Sequence, residues 1–237
     1  ANAVIQNILP QKLAEKFRQL AQKGLGQDID LETGMMLIME FGYPNSDPEE
    51  FRQKLDELAQ NFADILNPEA EPPEIVAAFT HFLFQQKGFK GNKDNYQNPD
   101  NSFINKVLDN QTGLPITLSA ICVLLANRLN LPIVGVGMPG HYIVKYSLPI
   151  EPIYFDPFHQ GRLLTKKECI QIVEQFGHSF EEHFLSQATQ RETLIRMLNN
   201  LVQVYKNFNE TKKADTLAEY IKILLNPSRN QQSERTR

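Results

Sequence analysis

Two side chains in the middle of the chain have the types and setting to work together. His141 follows the Pro139–Gly140 turn and opens a strand-like segment, His141 to Tyr146; Asp156 closes the next such segment, Ile153-Tyr154-Phe155-Asp156. Neighbouring strands would put imidazole and carboxylate within hydrogen-bond reach. A histidine held by an acid is what a cysteine nucleophile needs beside it, with the thiol at a helix N-terminus where its pKa falls. A helix beginning near Pro115 precedes the two strands, so the parts occur in the order helix, strand with His, strand with Asp. The competing reading is a surface histidine and an aspartate bonded to turn amides beside Pro157.

The chain has two cysteines. Cys122 shares an apolar stripe with Leu118, Leu125 and Leu129, a core position where cysteine acts as a small hydrophobe. Cys169 falls on a later helix capped by Thr165, at a distance from His141 that spacing does not give. Thr117 and Ser119, close to the helix start, could face the same cleft, although helix capping is their expected role. His178 and His183, five apart, do not share a helical face, and no metal site is expected. His81 and His159 read as structural. Gly135-Val136-Gly137-Met138-Pro139-Gly140 imitates a glycine fingerprint but leads into a strand rather than a helix, so no dinucleotide is implied. No cofactor is expected.

The elements around this centre are mostly helical. Pro10 is positioned to open a first helix that Gly24 and Gly26 end. Leu31 to Phe41 is apolar nearly all round, the mark of a buried helix. Asp47-Pro48-Glu49-Glu50 supplies a cap, a proline at the first helical position and acids in the first turn. A further helix carries Ile75 to Leu83 and stops at Gly88; 89–101 reads as loop, and Ser102 to Leu108 as a short helix. Ile133 to Gly137 is the first of three strands. After the helix through Cys169, two stripes (Leu194, Leu198, Leu201 and Ala214, Leu217, Ile221) form a helical hairpin that ends at Asn226-Pro227.

Several motifs in fixed order carry a resemblance. Gly113-Leu114-Pro115-Ile116-Thr117-Leu118-Ser119, Ala126 to Pro132, Gly135 to Tyr142 and Asp156-Pro157-Phe158 resemble the SirB family, as do Asp30-Leu31-Glu32 with Tyr43-Pro44 upstream and Arg196 to Leu201 downstream. The likeness covers 28–227. It implies a transglutaminase-like core and a tetratricopeptide-like C-terminus, with no established catalytic activity. Related segments occur in a eukaryotic F-box protein, a substrate adaptor for ubiquitin ligases. Active transglutaminase-like proteins resemble a pattern in which a cysteine opens a helix and a Gly-Ile-Pro-like tripeptide follows about 15 to 17 residues later, a little over four helical turns. Here Asn130-Leu131-Pro132 takes that place, and counting back puts the nucleophile position at Pro115, give or take one residue. His141 and Asp156 fall on the family's His and Asp.

The expected fold is therefore α+β and mostly helical: a helical part (1–88), a transglutaminase-like core of one helix on a small antiparallel sheet (89–186), a tetratricopeptide-like hairpin (187–227) and a flexible tail (228–237). The expected cleft residues are Thr117, Ser119, Pro139, Gly140 and Tyr142 around the vestigial positions Pro115, His141 and Asp156. The expected function is a non-catalytic protein-binding, adaptor or assembly module. The alternatives are a thiol-dependent amidase, protease or transglutaminase with a non-standard nucleophile, and a structural subunit of a larger complex. A net charge of −4 offers no broad basic surface for nucleic acid, and Arg229, Arg235 and Arg237 belong to a short polar tail. No apolar run reaches the roughly 18 residues of a membrane span. Ala1 to Leu9 lacks the basic start and long apolar core of a signal peptide. A cytoplasmic protein is expected, with a protein partner, no membrane insertion, and peripheral association with a membrane complex left open.

Overall fold

The structure, a computed structural model, describes residues 2–23 and 27–227, with side chains from residue 9 onward. Gly24, Gly26 and the tail from 228 lie outside the described residues. In chain order the helices are α1 (Asn2–Lys23), α2 (Leu31–Gly42), α3 (Pro48–Ala63), α4 (Pro72–Thr80), α5 (Ile104–Asn110), α6 (Pro115–Leu129), α7 (Lys166–Gln175), α8 (Gln190–Asn207) and α9 (Thr211–Leu225). The strands are β1 (Lys90–Gly91), β2 (Thr112–Gly113), β3 (Ile133–Val136), β4 (Ile143–Tyr146), β5 (Ile153–Asp156) and β6 (Arg162–Leu164). The chain is thus mostly helical with small sheets, an α+β fold.

These elements form two compact units. The first comprises residues 1–46, 97–103 and 189–237. Its helices α1 and α2 pack with α9 and α8, respectively, so the C-terminal hairpin is not left alone. The sequence joins them through specific caps. Asp28 accepts hydrogen bonds from the amides of Gln190 (2.5 Å) and Arg191 (3.1 Å), which closes the N-terminus of α8. Gln190 Oε1 in turn accepts from the amide of Leu31 at 2.8 Å. Arg191 donates to the carbonyls of Leu224 and Ala21, covering the ends of α9 and α1. Gly34 lies against the Leu194 side chain, where a Cβ would collide. Helix α1 runs through Pro10 instead of starting there; the Pro10 carbonyl is bonded by the Tyr220 hydroxyl at 3.1 Å, and Phe17 stacks on the Tyr220 ring.

The second unit comprises 47–96 and 104–188. Helix α3 starts as the sequence dictates, with Asp47 accepting from the Glu49 amide and Pro48 in the first turn. It packs on α6, and Asp56 pairs with Arg128 at 2.6 Å. Helix α6 is buried on nearly every side from Pro115 to Ala126 and ends on a left-handed Asn130. It packs on β3 and β4 of an antiparallel meander ordered β3-β4-β5-β6. The register sets Val144 opposite Phe155. Strand β6 went unread because three residues after a turn, two of them exposed, show no usable alternation. The segment 89–101, read as a loop, contributes β1, which pairs in parallel with β2, and a single 3-10 turn at Pro99–Ser102. Helix α4 continues as a π-helical turn, His81–Gln86, in which His81 is exposed rather than part of the core.

The turn into β6 depends on Gly161, whose φ is +74° and whose Cβ position is filled by the Phe84 ring and Thr80. Gly161→Ala is expected to destabilise by about 1–3 kcal/mol, combining left-handed strain with a clash. Urea unfolding measures it, and an unchanged midpoint would contradict the packing described.

Candidate functional site

The site begins at the first turn of α6. Leu114 occupies the cap position without a side-chain hydrogen bond, and Pro115 is the first helical residue. Pro115 has no N–H, so the helix presents the amides of Ile116 and Thr117 at its positive end.

Asp156 is the last residue of β5 and 2% exposed; its two carboxylate oxygens do different work. Oδ1 accepts from the amides of Phe158 (3.0 Å) and His159 (3.3 Å), capping the 3-10 turn Pro157–His159. Oδ2 accepts from His141 Nε2 and from His159 Nδ1, each at 2.7 Å. The aspartate therefore binds turn amides and also holds His141, which is buried and not the surface histidine of the competing reading. Burial pushes the Asp156 carboxyl up. The hydrogen bond and charge of His141, then those of His159, outweigh burial and hold it below the ordinary carboxylate value.

His141 stands two residues before β4 and is 8% exposed. His159 was missed as a site residue. An Asp-Pro opening a tight turn folds residue i+3 back over the carboxylate, and that spacing was the available signal. The His159 side chain is 45% exposed, so the trio has one outer member.

Pro115, Gly140, His141, Asp156 and His159 share the lining of one cleft of about 710 Å3, whose apolar walls include Tyr96, Phe158, Leu164, Ile172 and Phe176. Gly140, at φ +73°, lies beneath the Phe176 ring, which is 54% exposed.

Four expected cleft residues are not among those lining it. Thr117 is half a turn round α6 from Pro115, and its hydroxyl is buried without a hydrogen-bond partner among the described residues. Ser119 lies one turn deeper, where its hydroxyl donates to the Tyr142 carbonyl at 3.5 Å. Neither caps the helix. The Tyr142 hydroxyl lies across β3 against Gly135, and Pro139 is half-buried beside the turn.

Neither thiol is at the site either. Cys122 is buried in α6, and burial pushes its thiol far up. Cys169, fully buried, packs in a cluster with Val136, Ile143 and Val173. Burial first, then Glu168 and Asp156, push its thiol up to about 11. His178 and His183 are exposed, and His183 pairs with Glu181.

His141, just before β4, and Asp156, at the end of β5, share one cleft with the N-terminus of α6, the order of parts expected from the sequence. The chain belongs to the transglutaminase-like superfamily, whose profile matches residues 49–199. It is similar to a UPF0162 protein of Xylella fastidiosa (strain 9a5c), with 33% identity over 205 residues, 82% of this chain and 72% of that protein. A UPF0162 protein of Haemophilus influenzae is 24% identical over 178 residues, 74% of this chain and 66% of that protein. The F-box only protein 21 of Mus musculus is 29% identical over 141 residues, 56% of this chain but 22% of that protein. No solved structure matches the chain. Among the described residues, no helix is long and apolar enough to cross a membrane.

Proposed function

We propose that this chain is a non-catalytic, SirB-type member of its superfamily, a cytoplasmic adaptor or assembly module that holds a segment of a partner protein in the cleft at His141. The observation that carries this reading is Pro115: the first residue of α6 faces the same cleft as the His141–Asp156 pair and has no nucleophile to offer. The apolar walls suit a peptide segment, with the imidazoles and carboxylate supplying polar contacts at its floor. The similarity to an F-box only protein fits an adaptor role. The tetratricopeptide-like character of α8 and α9 offers a second binding face.

The test has a chemical arm and a binding arm. Native Cys122 and Cys169 are expected to alkylate at pH 7 at least about 100-fold slower than an unperturbed thiol, because burial and a pKa near 11 leave little thiolate. Release of ammonia from glutamine peptides, abolished by Cys169→Ser, would overturn the reading. In the binding arm, a photo-crosslinker at Gln175 is expected to join one defined partner, and Phe176→Glu to remove that product. Crosslinking unaffected by Phe176→Glu would count against the cleft as the binding surface.

A further inference from the structure

The His–Asp–His trio has donor geometry that a peptide-binding cleft does not require. His141 Nε2, Asp156 Oδ2 and His159 Nδ1 lie within 4.8 Å of one another, on one wall of the cleft. We infer that His141, Asp156 and His159 form a three-ligand site for a divalent cation of the zinc class, open to the cleft at its fourth position. The inference goes beyond the binding role and does not rest on it.

Two imidazoles converge on one carboxylate oxygen, at 2.7 Å each. Without an ion, each ring must present an N–H to that oxygen. One divalent ion takes the place of both N–H contacts, each neutral ring then carrying its proton on the other nitrogen, and binds both freed nitrogens and the carboxylate. Zinc bonds of about 2.0–2.1 Å space tetrahedral donors about 3.3 Å apart, so the nitrogen–oxygen separations must open by about 0.6 Å. The structure has a part that can move this far. His159 is half-exposed on a three-residue turn, whereas His141 and Asp156 are buried. The carboxylate is already oriented, because Oδ1 is fixed by the amides of Phe158 and His159. Such outer contacts set the direction of a metal ligand. Two imidazoles and one carboxylate favour zinc over magnesium or calcium, which select oxygen donors. Three protein ligands beside an open cleft match an exchangeable site and not a closed structural one.

The experiment is calorimetric titration of the full chain, stripped with EDTA, with zinc chloride and separately with magnesium chloride. One equivalent of zinc is expected to bind, with no comparable magnesium uptake. His159→Phe keeps an aromatic ring against Phe158 and removes the donor; it is expected to weaken zinc at least about 10-fold, while the metal-free variant, having lost one half-exposed hydrogen bond to Asp156, still unfolds cooperatively at a slightly lower temperature. His183→Ala, at an exposed histidine, is expected to leave affinity unchanged. Cobalt in place of zinc is expected to show the intense visible bands of four-coordination in the wild type and to lose them in His159→Phe. Sub-stoichiometric uptake, or His159→Phe binding zinc as tightly as wild type, overturns the site. Since no partner is present in this titration, its failure leaves the peptide-binding reading untouched. Failure of the crosslinking experiment likewise leaves the metal site standing.

Discussion

Asp156→Ala is expected to lower the unfolding free energy by about 3–5 kcal/mol, among the largest single-residue effects in the second unit. Four hydrogen bonds end on this carboxylate, two from turn amides and two from imidazoles. Removing it takes the carboxylate partner from His141, which is 8% exposed and has little access to water. Asp156→Asn is expected to fall between Ala and wild type, because an amide oxygen still accepts from the turn while the charge is lost. The pH dependence separates the two contributions. The folded carboxyl titrates below its unfolded value of about 3.9 because its histidine bonds and charges outweigh burial. A carboxyl lowered by folding stabilises at pH above its unfolded value, and that stability is lost as pH falls through the folded value. Wild-type stability should therefore decline as the solution is taken below about pH 4–5, and Asp156→Asn should flatten that limb. Urea unfolding between pH 3 and 7 measures both effects; an Asp156→Ala midpoint equal to wild type would show that the network carries no load.

Pro115→Cys is expected to create a fast-reacting thiol. It places sulfur at the positive end of α6, on the cleft shared with His141. Helix N-termini and neighbouring imidazolium lower thiol pKa values by one to several units, so at pH 7 the new residue should alkylate roughly 10-fold faster than an unperturbed thiol. Compared with Cys169, whose thiol lies near 11, the difference should reach the order of 1000-fold. His141→Ala in the same background should remove most of the acceleration, since the imidazole is the base in such pairs. Iodoacetamide kinetics across pH 5 to 9 give the pKa directly. If the new thiol reacted no faster than a free one, Pro115 would not be the nucleophile position. Proline at this position contributes a preset φ and a small buried ring, and cysteine is itself a small apolar side chain, so the exchange should cost about 1 kcal/mol or less.

Much of this centre was legible before the fold was seen. The Pro139–Gly140 turn, the three strands through Asp156 and the helix opening at Pro115 are local signals, written in turn residues, β-branched runs and a proline at a helix start. They put Asp156 on a strand beside the one that His141 is expected to open, and Pro115 at a helix start; the strand in fact begins at Ile143, two residues after His141. The remainder depends on direction, which spacing alone does not carry. Thr117 and Ser119 are close to Pro115 in the chain, but helical rotation and the all-round burial of α6 take their hydroxyls into the core. His159 looked like a turn residue because its partner is three positions away and the contact is made by a cap. The division of the helices was similarly hidden: α1 and α2 precede α3 directly, yet they pack with α9 and α8, because Asp28 caps a helix start 162 residues further on and Arg191 reaches a helix end 170 residues back.

That last arrangement imposes a schedule on synthesis. The apolar helix α2 is complete at Gly42, but the helices that cover its side of the first unit begin at Gln190. At roughly 5–20 residues per second, a ribosome needs about 7–30 seconds to deliver the intervening stretch. For that interval Met35, Met36, Leu37, Ile38 and Met39 have no finished core to enter. A nascent chain stalled just after residue 188 has cleared the ribosome should hold a folded second unit together with a chaperone-accessible N-terminal segment, and one lengthened until Pro227 has also cleared it should lose that access.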